Sequence, residues 1–484
     1  MRKYYWLLLF ILAAIACRWG SFFISVINHD ESTYIVIANE ILNGKIYLRD
    51  LIDTKPIGIF WIYAALIKLT EGSIFGLRLA AAVVVGVGGW GLYLACLRAL
   101  QSERAGVAAG VIYVISCSIF TYYGISPNTE IFFNLFTIAA VALAVAPRLP
   151  AAASDPFWHW PVAGLLLGLA VIIKPFAAAE ALAVGLFMVW FYGRTKAYGK
   201  VIGAGLLLVG AFTLPLLFVF NYFRQLGLTD ELYFYTFDVS SAYPIELPWY
   251  LRLKYMGDYL LRYAPFVILG ASALVQCWRQ KSREKVNWGL YLCLQFVLVT
   301  IVVLLTGKRF GHYQIQLHPV IALWAALWWA PGVTIFDRLR TDKLRKLVPY
   351  LLVGLALFLG LSRYFKYAKK SDEPTAIAQY FQDRLAPGET FFLINGWQIS
   401  YHLLDRRVPT PYVHSSLLFL AHHVKAFQID ELAEAERILA DDTVKYLVKR
   451  RVDANAETPF TDRVLEQFTQ VDTIGEELLV YRRK

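Results

Sequence analysis

The chain has 484 residues, 58% of them hydrophobic and 17% charged, with a mean hydropathy of +0.50. That balance is too apolar for a water-soluble globule of this length, so the expected solvent is a bilayer. The net charge of +11 lies mostly in short Lys and Arg clusters between apolar segments, which marks membrane topology rather than a nucleic-acid surface.

Taken in chain order, residues 1–27 read as a permanent first helix, because the apolar stretch is long and no small-residue cleavage site follows it. Apolar stretches near membrane-spanning length then recur at 76–99, 105–123, 131–146, 162–173, 177–191, 201–220, 259–278, 288–306, 320–329 and 347–361. With residues 5–27 they predict about eleven helices, each satisfying its own backbone hydrogen bonds in lipid. The basic clusters fall on one side of this arrangement: Arg2 and Lys3, Arg98 and Arg104, Arg148, the group Arg194, Lys196 and Lys200, and the runs 279–285 and 338–346. That side is cytoplasmic by the positive-inside rule, which turns 28–75, 124–130, 221–258, the turn at 307–313 and the chain after 362 outward. The expected domains are therefore a membrane domain, 1–362, and an extracytoplasmic soluble α/β domain, 363–484. The strand-like segments of the latter are FFLIN, VKYLVKR and ELLVYRR, with a helix over 430–439. All five cysteines belong to apolar segments, and no disulfide framework or zinc-ligand spacing is visible.

The polar residues that need an explanation collect on the outward side. Asp30 and Glu31 follow the first helix at the membrane boundary, where adjacent acids are unfavourable unless water or a cation satisfies them. They fit a functional site, and they also fit solvated loop acids or a cap for the next helix. That helix, ESTYIVIANEIL, sets Tyr34, Ile37, Ala38, Ile41 and Leu42 on one face, as an amphipathic helix on a membrane surface would. Lys55 stands before Pro56 at the lip of a short apolar segment, 57–69, and Lys174 stands before Pro175 between two apolar segments. A lysine at interface depth can hold a phosphate as a point charge, or simply snorkel. Glu130 opens a later helix, where it is either a second site acid or a complement to the helix dipole. In the turn GKRFGHYQIQLHP, Lys308, Arg309, His312 and Tyr313 form either an anion clamp or a girdle of snorkelling and aromatic residues.

An acid beside phosphate-holding cations at a membrane surface is what sugar transfer from a lipid phosphate demands. The carboxylate takes the acceptor's proton and the cations stabilise the departing phosphate. No Walker loop, GxGxxG turn or GxSxG elbow is present to support nucleotide-driven or serine-hydrolase chemistry. A transporter of a lipid-linked or anionic substrate is the rival class. It needs ionisable residues at midplane depth, and the helix interiors hold few beyond Glu180 and Lys174.

The order NHDESTYIVIANEILNGKIY, DTKPIGIFW and FGLRLAA resembles the GT-C class of membrane glycosyltransferases, in particular the protein O-mannosyltransferase and lipid A aminoarabinose transferase group. The resemblance is dense to about residue 137, thinner through Lys174 and the GKRFGHYQIQLHP turn, and absent from the tail. It implies an all-helical polytopic GT-C fold with amphipathic surface helices, in a bacterial inner membrane. It also implies a donor sugar on undecaprenyl phosphate, moved to a lipid, glycan or protein acceptor, with membrane lipid as the remaining partner. Carried over by motif, Asp30 is the catalytic carboxylate, Glu130 the second acid and Lys55 the contact to the donor phosphate. Lys308 and Arg309 assist on the far side, and Glu31, Tyr34, Arg78, Lys174, His312 and Tyr313 are expected around the substrate. Tyr313 falls where the aminoarabinose transferases have a tyrosine near a bound metal. The acid that precedes the Lys-Pro pair in those enzymes is Thr54 here, so transfer without a metal or other cofactor is expected.

Overall fold

The structure, a computed structural model, describes residues 2–119, 123–149, 155–242, 247–308, 311–333 and 342–484. Arg309 and the start of the 338–346 basic run lie outside the described residues. Each expected span has a helical counterpart, beginning with α1 (Arg2–Arg18). There follow α2 (His29–Leu42), α3 (Ile57–Thr70), α4 (Ile74–Leu100), α5 (Glu103–Ser116), α6 (Thr129–Ala140), α7 (His159–Ile173), α8 (Ala178–Gly193) and α9 (Tyr198–Gln225). Helices Trp249–Arg262, Ala264–Arg279, Arg283–Leu305, His318–Ala326 and Asp342–Ala368 complete the apolar series. Among the described residues, six helical stretches are long and apolar enough to cross a membrane, or seven if one bent pair counts as a span.

Two expected spans come out differently. The first helix passes at Trp19–Ser21 into a 3-10 turn rather than continuing to residue 27, and the Arg18 guanidinium at its end is buried against the backbone carbonyls of Cys117, Gly124 and Ile125. The stretch 259–278 is not one helix. Trp249–Arg262 and Ala264–Arg279 meet at 78°, with Pro265 in the first turn of the second, where its missing N–H breaks no intrahelical bond.

The chain divides into two compact units. The first comprises residues 1–22, 78–219 and 245–367. Its packing relies on small residues, because lipid tails give apolar helices no reason of their own to associate. Gly164 and Gly168, one turn apart on α7, lie so close to α9 that an added Cβ would stand 2.1 Å from the Leu208 carbonyl and 2.3 Å from that of Phe212. Arg78, on α4, buries its guanidinium and donates to the Ser21 carbonyl at 2.6 Å.

The second unit comprises 23–77, 220–244 and 368–484, so the C-terminal tail is compact together with α2 and α3 rather than starting a unit of its own at 363. Polar contacts explain the grouping. The Ile399 N–H donates to Ser32 Oγ at 2.7 Å, the Val408 N–H to Glu40 Oε1 at 3.1 Å, and His402 Nε2 lies 2.8 Å from the Gly72 carbonyl. Residues 31–38 of α2 are all buried, so protein covers the helix that its pattern assigns to a membrane surface. The tail's sheet has the order β1-β2-β4-β3. β1 (Thr390–Ile394) runs parallel to β2 (Val444–Arg450), which pairs antiparallel with β4 (Leu478–Arg483), and β3 (Phe468–Ile474) closes the edge. Phe391 of β1 packs between the rings of Phe381 and Tyr401, with centroids 4.9 and 4.8 Å away. β3 escaped the sequence reading because nearly all of it is exposed, so it lacks the apolar alternation of a half-buried strand.

Candidate functional site

In the second unit, local backbone chemistry brings Asp30 and Lys55 together. Asn28 caps α2 by accepting from the Glu31 N–H at 2.8 Å, and the buried Glu31 carboxylate accepts from the Ile27 N–H at 3.1 Å. Glu31 therefore secures the helix start, and its neighbour Asp30 stands in the first turn. Lys55 is held by its own loop. Asp53 Oδ1 accepts from the Lys55 N–H at 3.0 Å, and the Tyr47 hydroxyl lies 2.9 and 2.6 Å from the carbonyls of Asp53 and Lys55. The residue before a proline avoids helical backbone, so α3 starts only after Pro56 and Lys55 is left at its lip. Lys55 Nζ then lies 2.8 Å from Asp30 Oδ1 and 3.4 Å from Asp53 Oδ1, with side-chain exposures of 25% for Lys55, 18% for Asp30 and 2% for Asp53. Tyr34 is buried under this group, its ring centroid 5.8 Å from the ammonium.

The tail supplies further members. Trp397 stacks on His29 at 3.7 Å and 10°, and the His414 ring lies 6.0 Å from that of His29. Burial and the nearby His414 push the pKa of His29 down to about 3, against a smaller upward pull from Asp30. Burial, and then the Lys55 ammonium, also lower that of His414. Both imidazoles are neutral near pH 7 and act as hydrogen-bonding groups rather than cations.

The first unit holds a similar arrangement. Glu130, in the first turn of α6, is buried and paired with Lys174, and Thr129 Oγ1 donates to its other oxygen at 3.0 Å. Lys174 ends α7 in an extended conformation before Pro175, with its ammonium 3.9 Å from the Tyr313 ring centroid and 5.0 Å from that of Phe176. His312 packs edge-on against Tyr313 at 4.6 Å. Gln316 donates to Glu180 at 2.7 Å and to the Phe176 carbonyl at 2.9 Å, which fixes the turn that carries Phe176. Lys308 follows the Arg283–Leu305 helix, its N–H 3.5 Å from Thr306 Oγ1.

The structure thus joins Asp30, Lys55 and Tyr34 in one unit and Glu130, Lys174, His312 and Tyr313 in the other, while Arg78 and Glu31 anchor backbone. Sequence reasoning missed Asp53 as the anchor of Lys55, although it lies in the same DTKP motif. It also missed His29, Trp397 and His414, of which only His29 lies within a motif already quoted. Among the described residues, no three His, Cys, Asp or Glu side chains converge as metal ligands do.

Residues 54–218 match the family described as dolichyl-phosphate-mannose-protein mannosyltransferase. A Pseudomonas fluorescens (strain Pf0-1) protein named undecaprenyl phosphate-alpha-4-amino-4-deoxy-L-arabinose arabinosyl transferase 1 is 26% identical over 312 residues, 61% of this chain and 52% of the relative. Its namesake in strain Pf-5 is 24% identical over 392 residues, 77% of this chain and 66% of the relative. The chain therefore spans about half to two thirds of the length of these curated relatives. In fold it is similar to ArnT from Cupriavidus metallidurans bound to undecaprenyl phosphate, with a TM-score of 0.67 and 13% identity over 98% of this chain and 97% of that one. The apo state of the same protein gives 0.64 and 12%, over 99% and 98%. The chain accordingly has the fold of the GT-C membrane glycosyltransferases and, within that class, resembles the aminoarabinose transferases and the protein mannosyltransferases.

Proposed function

We propose that this protein moves a sugar from a polyprenyl-phosphate carrier, of the undecaprenyl type, to a lipid, glycan or protein acceptor at the outer face of a bacterial inner membrane. The observation that carries the reading is the Lys55–Asp30 pair, an acid and a phosphate-type cation 2.8 Å apart at the lip of an apolar helix. The chemistry is a displacement at the anomeric carbon. A hydroxyl or amine of the acceptor forms the new bond, the bond from that carbon to the phosphate oxygen breaks, and the polyprenyl phosphate leaves with the electron pair. Asp30 takes the acceptor's proton, and Lys55 stabilises the charge that grows on the leaving phosphate. A direct displacement inverts the anomeric centre.

The ion pair has a part in this scheme. The phosphodiester monoanion of the donor competes with Asp30 for the Lys55 ammonium, so donor binding frees the carboxylate oxygen just when an acceptor proton must be received. Glu130 and Lys174 form a second acid and cation couple for the same reaction class, the half-buried lysine lying against a buried carboxylate. The neutral His29 and His414 add no charge to the site.

The decisive measurement incubates purified protein with radiolabelled undecaprenyl-phosphate sugars and a membrane extract. Label covalently joined to an acceptor supports transfer, whereas label accumulating unchanged inside proteoliposomes overturns it in favour of transport. Orientation is read separately from alkaline phosphatase fused after Lys484. Activity there supports an outward tail, and silence with a fluorescent cytoplasmic reporter places the site on the wrong side for this chemistry.

A further inference from the structure

Asp53 is the most buried acid of the Lys55 cluster, with 2% of its side chain exposed. Its Oδ1 is crowded with donors, namely the Lys55 N–H at 3.0 Å, the Thr54 hydroxyl at 3.4 Å and the Lys55 ammonium at 3.4 Å. Its Oδ2 is buried and has no hydrogen-bond partner among the described residues. An ionised carboxylate oxygen withdrawn from water without a donor is strongly unfavourable, and native proteins leave few such atoms without a reason. His29 Nδ1, on the first residue of α2 beside Asp30, is a second buried polar atom without a partner among those residues. Both orphans belong to residues beside the same ion pair, since His29 precedes Asp30 in the chain and Asp53 Oδ1 lies 3.4 Å from Lys55 Nζ, and both atoms can accept a hydrogen bond. An oxygen and a neutral ring nitrogen awaiting donors suit a ligand rich in O–H or N–H groups.

We propose that Asp53 is a substrate-binding residue of this site, its Oδ1 holding Lys55 in place and its Oδ2 accepting an O–H or N–H group from the sugar of the donor or from the acceptor. The inference rests on the glycosyl-transfer reading above and adds a division of labour to it. Lys55 takes the phosphate, Asp30 the departing proton, and Asp53 orients a group that does not react. A carboxylate in that place selects for a hydrogen-bond donor and rejects an analogue that lacks one, because the buried oxygen is then left unpaired again.

Asp53→Asn is the test, in full-length protein purified in detergent. The amide oxygen keeps the place of Oδ1 toward Lys55, and an N–H group replaces Oδ2, so an acceptor becomes a donor without loss of volume. Binding of bare undecaprenyl phosphate should stay within about twofold of the native protein, while kcat/KM for sugar transfer falls about 10- to 100-fold, the loss typical of a hydrogen bond to a charged group. If the ligand group belongs to the donor, the Kd for undecaprenyl phosphate aminoarabinose rises and the KM for lipid A does not. If it belongs to the acceptor, only the KM for lipid A rises. Either pattern supports the proposal. Transfer within twofold of the native rate overturns it. Equal weakening of bare and sugar-bearing undecaprenyl phosphate also overturns it, by showing that Asp53 acts only through Lys55. Asp53→Glu, which keeps the charge, is the second variant, and failure of both to accumulate in the membrane makes the residue structural and the proposal wrong. A native protein that neither binds undecaprenyl phosphate nor transfers sugar overturns the reading beneath it instead.

Discussion

Each compact unit contains a lysine followed by proline and paired with an acid in the first turn of a helix. Lys55 meets Asp30 in one unit, and Lys174 meets Glu130 in the other. The pairs differ in their surroundings. Lys174 and Glu130 are 13% and 1% exposed, and the ammonium lies over the Tyr313 ring, whereas Lys55 and Asp30 are 25% and 18% exposed. A pair withdrawn from water must stay intact, because removing one partner strands the other charge in a low dielectric. A wetter pair contributes little to folding and is free to exchange one partner for a ligand. The difference separates a pair whose disruption strands a buried acid from one more open to exchange with a ligand.

The comparison breaks first at Asp30. Asp30→Asn should lower the transfer rate by about two to four orders of magnitude while leaving thermal unfolding in detergent nearly unchanged. Glu31→Gln, on the neighbouring residue, should instead weaken the start of α2 by about 1 kcal/mol and spare most of the rate. A folded Asp30→Asn protein that transfers sugar within a few-fold of the native rate removes Asp30 from the chemistry.

The buried pair should show the opposite balance. Lys174→Met strands Glu130 and should cost about 3–5 kcal/mol, with part recovered in the double variant Lys174→Met, Glu130→Gln. Unfolding by denaturant, compared across the three proteins, measures this. A single variant as stable as the native protein shows that the pair is not holding the first unit together.

Lys55→Ala should reduce affinity for undecaprenyl phosphate about 10- to 100-fold, the range for a lost charge-assisted hydrogen bond, and should also lower stability, because it removes a cation from the buried Asp53 carboxylate. Lys55→Arg keeps the charge on a different geometry and should fall between. Unchanged binding in Lys55→Ala leaves the lysine as a membrane anchor only.

The smallest expected effect is on pH dependence, and it belongs to the second unit. The pKa of His29 falls from an ordinary value of 6.5 to about 3 in the folded chain, so the unfolded chain binds a proton that the folded one refuses. Stability from this group is complete above about pH 6.5 and is lost as the pH falls toward 3. His414 and His402, also lowered chiefly by burial, act in the same direction. Glu40, raised by burial, acts in the other and offsets part of the loss. The denaturant midpoint of the unit should therefore be lower at pH 5 than at pH 7, and His29→Gln should flatten that slope. An unaltered slope in the variant shows that His29 titrates normally in the folded protein.

Much of this architecture is local, and local features are what a sequence displays. Apolar runs of spanning length, the basic clusters between them, and the strand-like FFLIN, VKYLVKR and ELLVYRR segments each carry their structure in adjacent residues. So do the two Lys-Pro steps, because a proline bars helical backbone from the residue before it wherever it stands. Asp30, Lys55, Glu130 and Lys174 could for that reason be singled out one by one.

Their partnerships could not, because side chains distant in the chain meet only when the chain is folded. Lys174 reaches an acid 44 positions away, and Ser32 accepts from a backbone N–H 367 positions on. Tertiary packing alone decided that the tail covers α2, that Trp397 stacks on His29, and that Asp53 anchors Lys55 with one oxygen and keeps the other buried. Hydrophobic periodicity names the elements, since it follows from the pitch of a helix or strand. Which polar groups those elements bury together depends on long-range contacts that periodicity does not encode.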